Sequence, residues 1–476
     1  MGNCRRVFRL LTDGILHYRD SAARMPQDAS ATTRDRVLFD APRVSAITAI
    51  TIAVADMIGI GVFTSLGFQV INIQSGFSVM MLWIVGGIAA MGGALAYAEL
   101  ATMFPRSGGE YNFLSRIYHP ALGFMAGWVS ATVGFAAPIA LAAMAFGDYF
   151  AGVVPGAPPL ALGFGVVWAV AAVHLYGIRQ GSAFQNISTF IKLGLIAVLI
   201  VAGLSVANPQ PISFLPSSRD IGYMGGAPFA IGLVFVLYSY SGWNAATYIA
   251  GEIRDPQRNL PRAIIASLLI VLALYVALNA VFLYTTPMAA MAGKVQVGLI
   301  AGQHIFGDAG GRIVGALICF GLISSISAMT WIGPRVSMTM GEDIPMLRFF
   351  AQRNGSGVPM AAILFQTAIT SVLLLTGKFE AVLEFIQFSL TFCSFLTVLG
   401  VIVMRYSHPE LHRPYRTWGY PVTPVLFLAA TLFTMYYLLT ERPWQSLGSL
   451  AVLGAGIAIY FISQKNGRVA ALFRSR

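Results

Sequence analysis

Two glycines one residue apart, Gly59 and Gly61, lie inside an apolar run from about Val44 to Ile73, in the stretch Asp56-Met57-Ile58-Gly59-Ile60-Gly61-Val62-Phe63-Thr64-Ser65. Each glycine costs a helix interior about 1 kcal/mol relative to alanine, so a membrane helix can open at this point. An opened helix exposes backbone amides, which hydrocarbon tolerates only where they face a cavity or a ligand. Amides at a helix start carry partial positive charge, and the chemistry they offer is reversible binding of a small carboxylate at mid-membrane depth. The same glycines equally suit close approach of a neighbouring helix.

Two ionisable residues accompany the break. Asp56 stands three residues before Gly59, where a carboxylate is costly unless it faces a cavity or a cation. Lys192 lies 13 residues beyond Arg179, about 20 Å along a helix, too deep to reach the membrane surface easily. A lysine at that depth is either a working group or a brace satisfied by the carbonyls of a broken helix. A salt bridge between Asp56 and Lys192 would account for both and form a coupling pair. Ser324, Ser325 and Ser327 add hydroxyls that either face Lys192 or bond their own helix.

A second interruption occurs in Phe235-Val236-Leu237-Tyr238-Ser239-Tyr240-Ser241-Gly242-Trp243-Asn244, where polar and aromatic groups and a glycine break an apolar run. Tyr and Trp also form belts at membrane surfaces, but these lie near the centre of their run. Corresponding breaks five spans apart point to inverted repeats with a binding site at the midplane.

The elements that position these residues are membrane helices. Of 476 residues, 57% are apolar and 10% charged, against about 25% charged in soluble domains. Twelve stretches can cross the bilayer, at about 46–71, 78–103, 121–147, 160–178, 183–207, 223–250, 263–286, 311–334, 359–376, 381–404, 421–440 and 444–463. The net charge of +11 is explained by topology and not by a nucleic-acid partner. With both termini inside, 24 Lys and Arg fall on the inner side and five (Arg219, Lys294, Arg312, Lys378, Arg442) on the outer, as the positive-inside rule requires.

The chain then divides into a cytoplasmic tail (1–45), a first five-helix repeat (46–207), a second (223–404), helices 11 and 12 (421–463) and a basic tail (464–476). Residues 5–18 of the first tail suit either an amphipathic surface helix or a solvated segment, and Arg6 stands where a myristoylation signal needs Ser or Thr. Glu99, at the inner end of span 2, is placed to pair with a loop arginine, and the small residues of span 2 suit close helix packing. Cys4, Cys319 and Cys393 have no paired spacing, and the six histidines form no metal motif, so no metal, cofactor or enzyme chemistry is expected.

In order and spacing, Ile58-Gly59-Ile60-Gly61-Val62-Phe63, Pro105 to Tyr111, Tyr240-Ser241-Gly242-Trp243-Asn244, Glu252 to Arg262, and Arg413-Pro414-Tyr415-Arg416 with Gly419-Tyr420-Pro421 resemble the amino acid, polyamine and organocation superfamily. Within it the chain is most similar to L-type amino acid transporters and bacterial amino acid permeases. The resemblance implies an all-α, leucine-transporter-like fold of two inverted five-helix repeats plus two helices, with helices 1 and 6 broken. It implies a substrate carboxylate at the Gly59 to Val62 amides, its amino group at carbonyls near Ile58 and Tyr238 to Ser241, and Tyr238 as the aromatic cover. Helices 1, 3, 6, 8 and 10 would set the pocket, with Phe135 contributing.

In several relatives a lysine at the place of Lys192 replaces a sodium ion, which implies proton coupling or exchange. Ile60 departs from the common Ser or Thr, and Asp56 from a commonly neutral residue, so a polyamine or organic-amine carrier is an alternative, as is a non-transporting sensor. The implied setting is the inner membrane of a bacterium. Some animal relatives join a glycoprotein through an outer-loop cysteine, which this chain lacks, so no disulfide-linked partner is expected.

Overall fold

Ser45 begins the ordered helices, its side chain accepting the Thr48 amide at 3.1 Å. A side-chain oxygen at this position satisfies an amide that would otherwise lack a partner. The computed structural model describes residues 44–106, 108–176, 182–354 and 357–474. The tail of residues 1–43, with its surface-helix reading, lies outside the described residues.

Span 1 is two helices, α1 (Ala46–Met57) and α2 (Gly61–Asn72), separated at the glycines. Ser75 caps α3 (Gly76–Met103) by accepting the Ser78 amide. The short α4 (Glu110–Ile117) leads to α5 (Pro120–Val129), which has His119 as cap and Pro120 at its first position, where a missing amide costs nothing. A π-helical turn over Ser130–Gly134 joins α5 to α6 (Ala136–Val153). Such turns are rare and concentrate at functional sites.

The chain continues as α7 (Pro159–Leu175) and α8 (Ser182–Leu204). Then α9 (Ser218–Met224) meets α10 (Ala227–Tyr240) at 65°, and α11 (Ala245–Tyr248) follows the second break. Beyond these come α12 (Pro256–Thr285), α13 (Met288–Met291) and α14 (Val297–Asp343), which turns a corner at Gly307. The last helices are α15 (Arg348–Ala351), α16 (Met360–Leu375), α17 (Phe379–Ser407), α18 (Val422–Glu441) and α19 (Pro443–Arg474).

Among the described residues nine segments are long and apolar enough to cross a membrane, or ten with α9 and α10 taken as one bent span. At two further expected places, α7 and α16 are apolar but shorter, with 17 and 16 residues. The described chain is otherwise strand-free, with one isolated bridge between Val44 and Ile253.

Burial separates centre from rim. The apolar window of Pro120–Val153 is 94% buried, whereas those of α18 and α19 are 33% and 28% buried, so these two helices present most of their apolar surface outward. The small residues of α3 permit near contact, as expected: a Cβ on Gly86 would lie 2.4 Å from Val236 and one on Gly92 2.3 Å from the Thr423 carbonyl. Glu99, 1% exposed, accepts Arg405 at 2.6 Å and the Thr417 amide at 2.7 Å, with Arg413 at 3.4 Å. The expected arginine pairing therefore ties α3 to the end of α17 and the loop after it.

Candidate functional site

The break between α1 and α2 leaves carbonyls without a following turn, and distant side chains take them up. Lys192 of α8, 3% exposed, places its ammonium 2.9 Å from the Ile58 carbonyl, 3.3 Å from that of Ala55 and 2.7 Å from Ser325 Oγ on α14. An ammonium has three donors and no acceptor, so these contacts use it fully. The Tyr275 hydroxyl of α12 donates to the Met57 carbonyl at 2.5 Å, and the Gly59 amide reaches the same oxygen at 2.7 Å. On the other side of the break, the Phe63 amide finds the Ile60 carbonyl at 3.0 Å, while Gly61 and Val62 stand at the start of α2, where a helix leaves its first amides without intrahelical carbonyls.

The second break is built differently. After Tyr240 the chain turns through Ser241 to Asn244 with Gly242 at φ +99°, a conformation L side chains rarely adopt. Ser241 closes the turn itself: its amide and its hydroxyl both donate to the Tyr238 carbonyl, at 3.0 and 2.6 Å.

The two breaks touch through their glycines. A Cβ on Gly242 would lie 2.7 Å from Asp56 Oδ2, and one on Gly61 would lie 2.5 Å from Ser239 Oγ. Both readings of the glycines therefore hold: Gly61 permits close packing while the helix also opens. The Ser65 and Ser239 hydroxyls, 3.0 Å apart, join α2 to α10 just beyond.

Between the breaks lies a cavity of about 110 Å³. Of the residues singled out in the sequence, Asp56, Gly59, Ile60, Gly61, Phe135, Tyr238, Ser239, Ser241, Gly242, Trp243, Asn244 and Ser325 line it. Others do not. The Ile58 carbonyl is taken by Lys192, and Val62 is fully buried away from the cavity. Tyr240 turns to the far side of α10, donating to the Trp83 carbonyl at 3.2 Å and packing on the Trp83 and Tyr275 rings.

The serines of α14 diverge. Ser325 meets Lys192, Ser327 Oγ lies 3.0 Å from His174 Nε2, and the buried Ser324 hydroxyl has no partner among the described residues. The expected Asp56–Lys192 salt bridge is not among the ion pairs of the described residues, because backbone carbonyls and Ser325 hold the lysine instead.

Several lining residues carried no individual signal. Glu110, at the start of α4 and 5% exposed, accepts the Tyr97 hydroxyl at 2.7 Å, Asn244 Nδ2 at 3.0 Å and the Tyr248 hydroxyl. Ser130 comes from the π-helical turn, and Gln387, Thr391 and Ser394 from α17. Gln387, Thr391 and Ser394 share one face of α17 at i, i+4 and i+7, but no spacing links that face to Glu110 on α4 or to Ser130 in the π-helical turn. Only the motif from Pro105 to Tyr111 contains Glu110.

The arrangement offers amide donors on one wall, carboxylates on others and aromatic rings between them, and among the described residues no serine or threonine nucleophile of its lining is hydrogen-bonded to a carboxylate or histidine base. That suits holding and releasing a small polar solute. Comparisons with known proteins agree. The chain is 28% identical over 430 residues to the human b(0,+)-type amino acid transporter 1, covering 87% of this chain and 86% of that protein. It is 27% identical over 432 residues to the serine/threonine exchanger SteT of Bacillus subtilis, covering 89% and 97%. It is 26% identical over 437 residues to the cystine/glutamate transporter of Pongo abelii, covering 88% and 85%. A family profile described as amino acid permease matches residues 44–459, and the chain belongs to that family.

Proposed function

We propose that this permease exchanges amino acids across the membrane by alternating access, with the substrate held in the cavity between the two helix breaks. It is a transporter and not an enzyme, as its family and relatives are. In this reading the nine full-length spans, the bent α9–α10 pair and the shorter α7 and α16 make twelve crossings. They form two inverted five-helix repeats, residues 46–207 and 223–404, plus α18 and α19. Both termini lie on the cytoplasmic side of a bacterial plasma membrane, which the lysine and arginine distribution supports. The substrate carboxylate sits at the first amides of α2 and Tyr238 covers it.

The observation that carries the exchange reading is the ammonium of Lys192, which bridges Ala55, Ile58 and Ser325 across three helices. A fixed cation there does the structural work of a dissociable ion, so no ion need bind and leave with each cycle. The matched exchanger from Bacillus subtilis supports the same reading. A disulfide-linked partner is not required, and Cys319 and Cys393 are buried within helices.

The test is counterflow in proteoliposomes with a labelled amino acid panel, with and without an inward proton gradient. The expected result is exchange that requires internal amino acid and ignores the gradient, reduced at least tenfold by Lys192→Ala. Accumulation driven by the gradient and abolished by Lys192→Ala would replace exchange with proton coupling through this lysine.

A further inference from the structure

We infer that the Asp56 carboxylate receives the ammonium group of the substrate, so that the permease selects ligands by their amine and binds amines that lack a carboxylate. This rests on the cavity between the breaks being the transport site.

The first support is that several of the backbone acceptors at the breaks are already occupied. The carbonyls of Ala55 and Ile58 hold Lys192. That of Met57 accepts both Tyr275 and the Gly59 amide. That of Tyr238 accepts the amide and hydroxyl of Ser241, and that of Phe235 accepts Ser239 at 2.7 Å. A carbonyl oxygen has two lone pairs, so the Met57 and Tyr238 carbonyls are saturated.

The second support is Asp56 itself. It lines the cavity, is 8% exposed, and its Oδ1 has no hydrogen-bond partner among the described residues. Burying a carboxylate is expensive unless a cation or donors compensate it. Lys192 lies within electrostatic reach of Asp56, but its three donors are spent on Ala55, Ile58 and Ser325, so none reaches this carboxylate. Gly242 leaves the room that Oδ2 occupies, since a Cβ there would stand 2.7 Å from it. Glu110 in the same cavity makes the contrast: it is also a carboxylate, but it already accepts two tyrosine hydroxyls and an asparagine amide. Both Glu110 oxygens already accept hydrogen bonds, whereas Asp56 has a whole oxygen, Oδ1, without a partner among the described residues, and an ammonium is the group that uses it.

The experiment measures binding to the purified full-length protein by ligand-induced thermal stabilisation. The probes are two matched triads: alanine, ethylamine and lactate, and leucine, isopentylamine and 2-hydroxy-4-methylpentanoate. In the wild type, at least one amine is expected to bind within about tenfold of its amino acid, while neither hydroxy acid binds. Asp56→Asn is expected to weaken every ammonium ligand about 10- to 100-fold, the worth of a hydrogen bond to a charged group, with partial recovery in Asp56→Glu. If the variants do not fold, the wild-type series decides alone. Hydroxy acids binding as well as amino acids, amines failing to bind, or Asp56→Asn leaving affinity unchanged would each overturn the inference. Binding of amines with no amino acid bound or exchanged would sink the amino acid reading and leave Asp56 in its role.

Discussion

The break in span 1 and the break in span 6 face one cavity, yet they are held open in opposite ways. Three side chains from other helices fasten the first: Lys192 on α8, Ser325 on α14 through that lysine, and Tyr275 on α12. The second is closed within five residues, by Ser241 folding back on Tyr238 and by the positive-φ Gly242. The difference teaches where movement can be controlled. A break fastened by three neighbouring helices changes when those helices shift, whereas a self-closed turn moves as a unit. In an alternating-access cycle, the span 1 break then registers the position of α8, α12 and α14, and the span 6 break carries its geometry with it.

The contact between the two breaks is the strongest place to test this. Gly242→Ala would place a methyl group 2.7 Å from Asp56 Oδ2 and 3.0 Å from the Asp56 carbonyl carbon, at a φ of +99°. Backbone strain and overpacking each cost about 1–3 kcal/mol, so we expect about 3 kcal/mol of destabilisation in thermal unfolding and loss of exchange. Retained exchange would mean that the breaks do not depend on touching here.

A smaller effect is expected at the Tyr275 fastening of span 1. Tyr275→Phe removes the bond to the Met57 carbonyl and leaves that oxygen with the Gly59 amide alone. The hydrogen bond is worth about 1 kcal/mol, but the break it fixes is the one at which we propose the substrate carboxylate binds. Exchange measured by counterflow should therefore fall about fivefold, with an unfolding temperature only slightly lowered. An exchange rate equal to the wild type would show that Lys192 alone fastens the break.

How much of this could be read from the sequence depends on which partner each residue meets. The break at Gly59 and Gly61 was legible because a helix signals its weakness locally, and Lys192 because a lone charge in an apolar run has few explanations. Its partners were legible only as alternatives: the carbonyls of a broken helix and the serines of α14 stood beside the Asp56 carboxylate, and only the structure, where α1 ends and frees its carbonyls, selects Ala55, Ile58 and Ser325 over Asp56. Tyr240 shows another limit. Span 6 is apolar all round, and periodicity alone gives no reason to send Tyr238 into the cavity and Tyr240 against Trp83. Glu110, Gln387 and Ser394 were out of reach for a third reason, since they converge only because α4 packs on α17 beside the span 6 break. The helical class of the fold, set by long apolar runs, was plain; the two shorter helices α7 and α16 show that hydropathy finds a segment before it fixes its length.

Ser241→Ala is the mildest change and the sharpest test of the comparison. It removes the hydroxyl bond to the Tyr238 carbonyl but leaves the Ser241 amide on the same oxygen, and Gly242 still sets the turn. Because the remaining bond satisfies the carbonyl, the expected cost is about 0.5 kcal/mol, and exchange should change less than twofold. Tyr275→Phe and Ser241→Ala each delete one hydroxyl from a carbonyl that keeps an amide donor, so local chemistry predicts equal effects. Only the way each break is fastened predicts unequal ones. A loss of exchange in Ser241→Ala matching that in Tyr275→Phe would mean that span 6 is no more self-contained than span 1, and that both breaks respond to the helices around them.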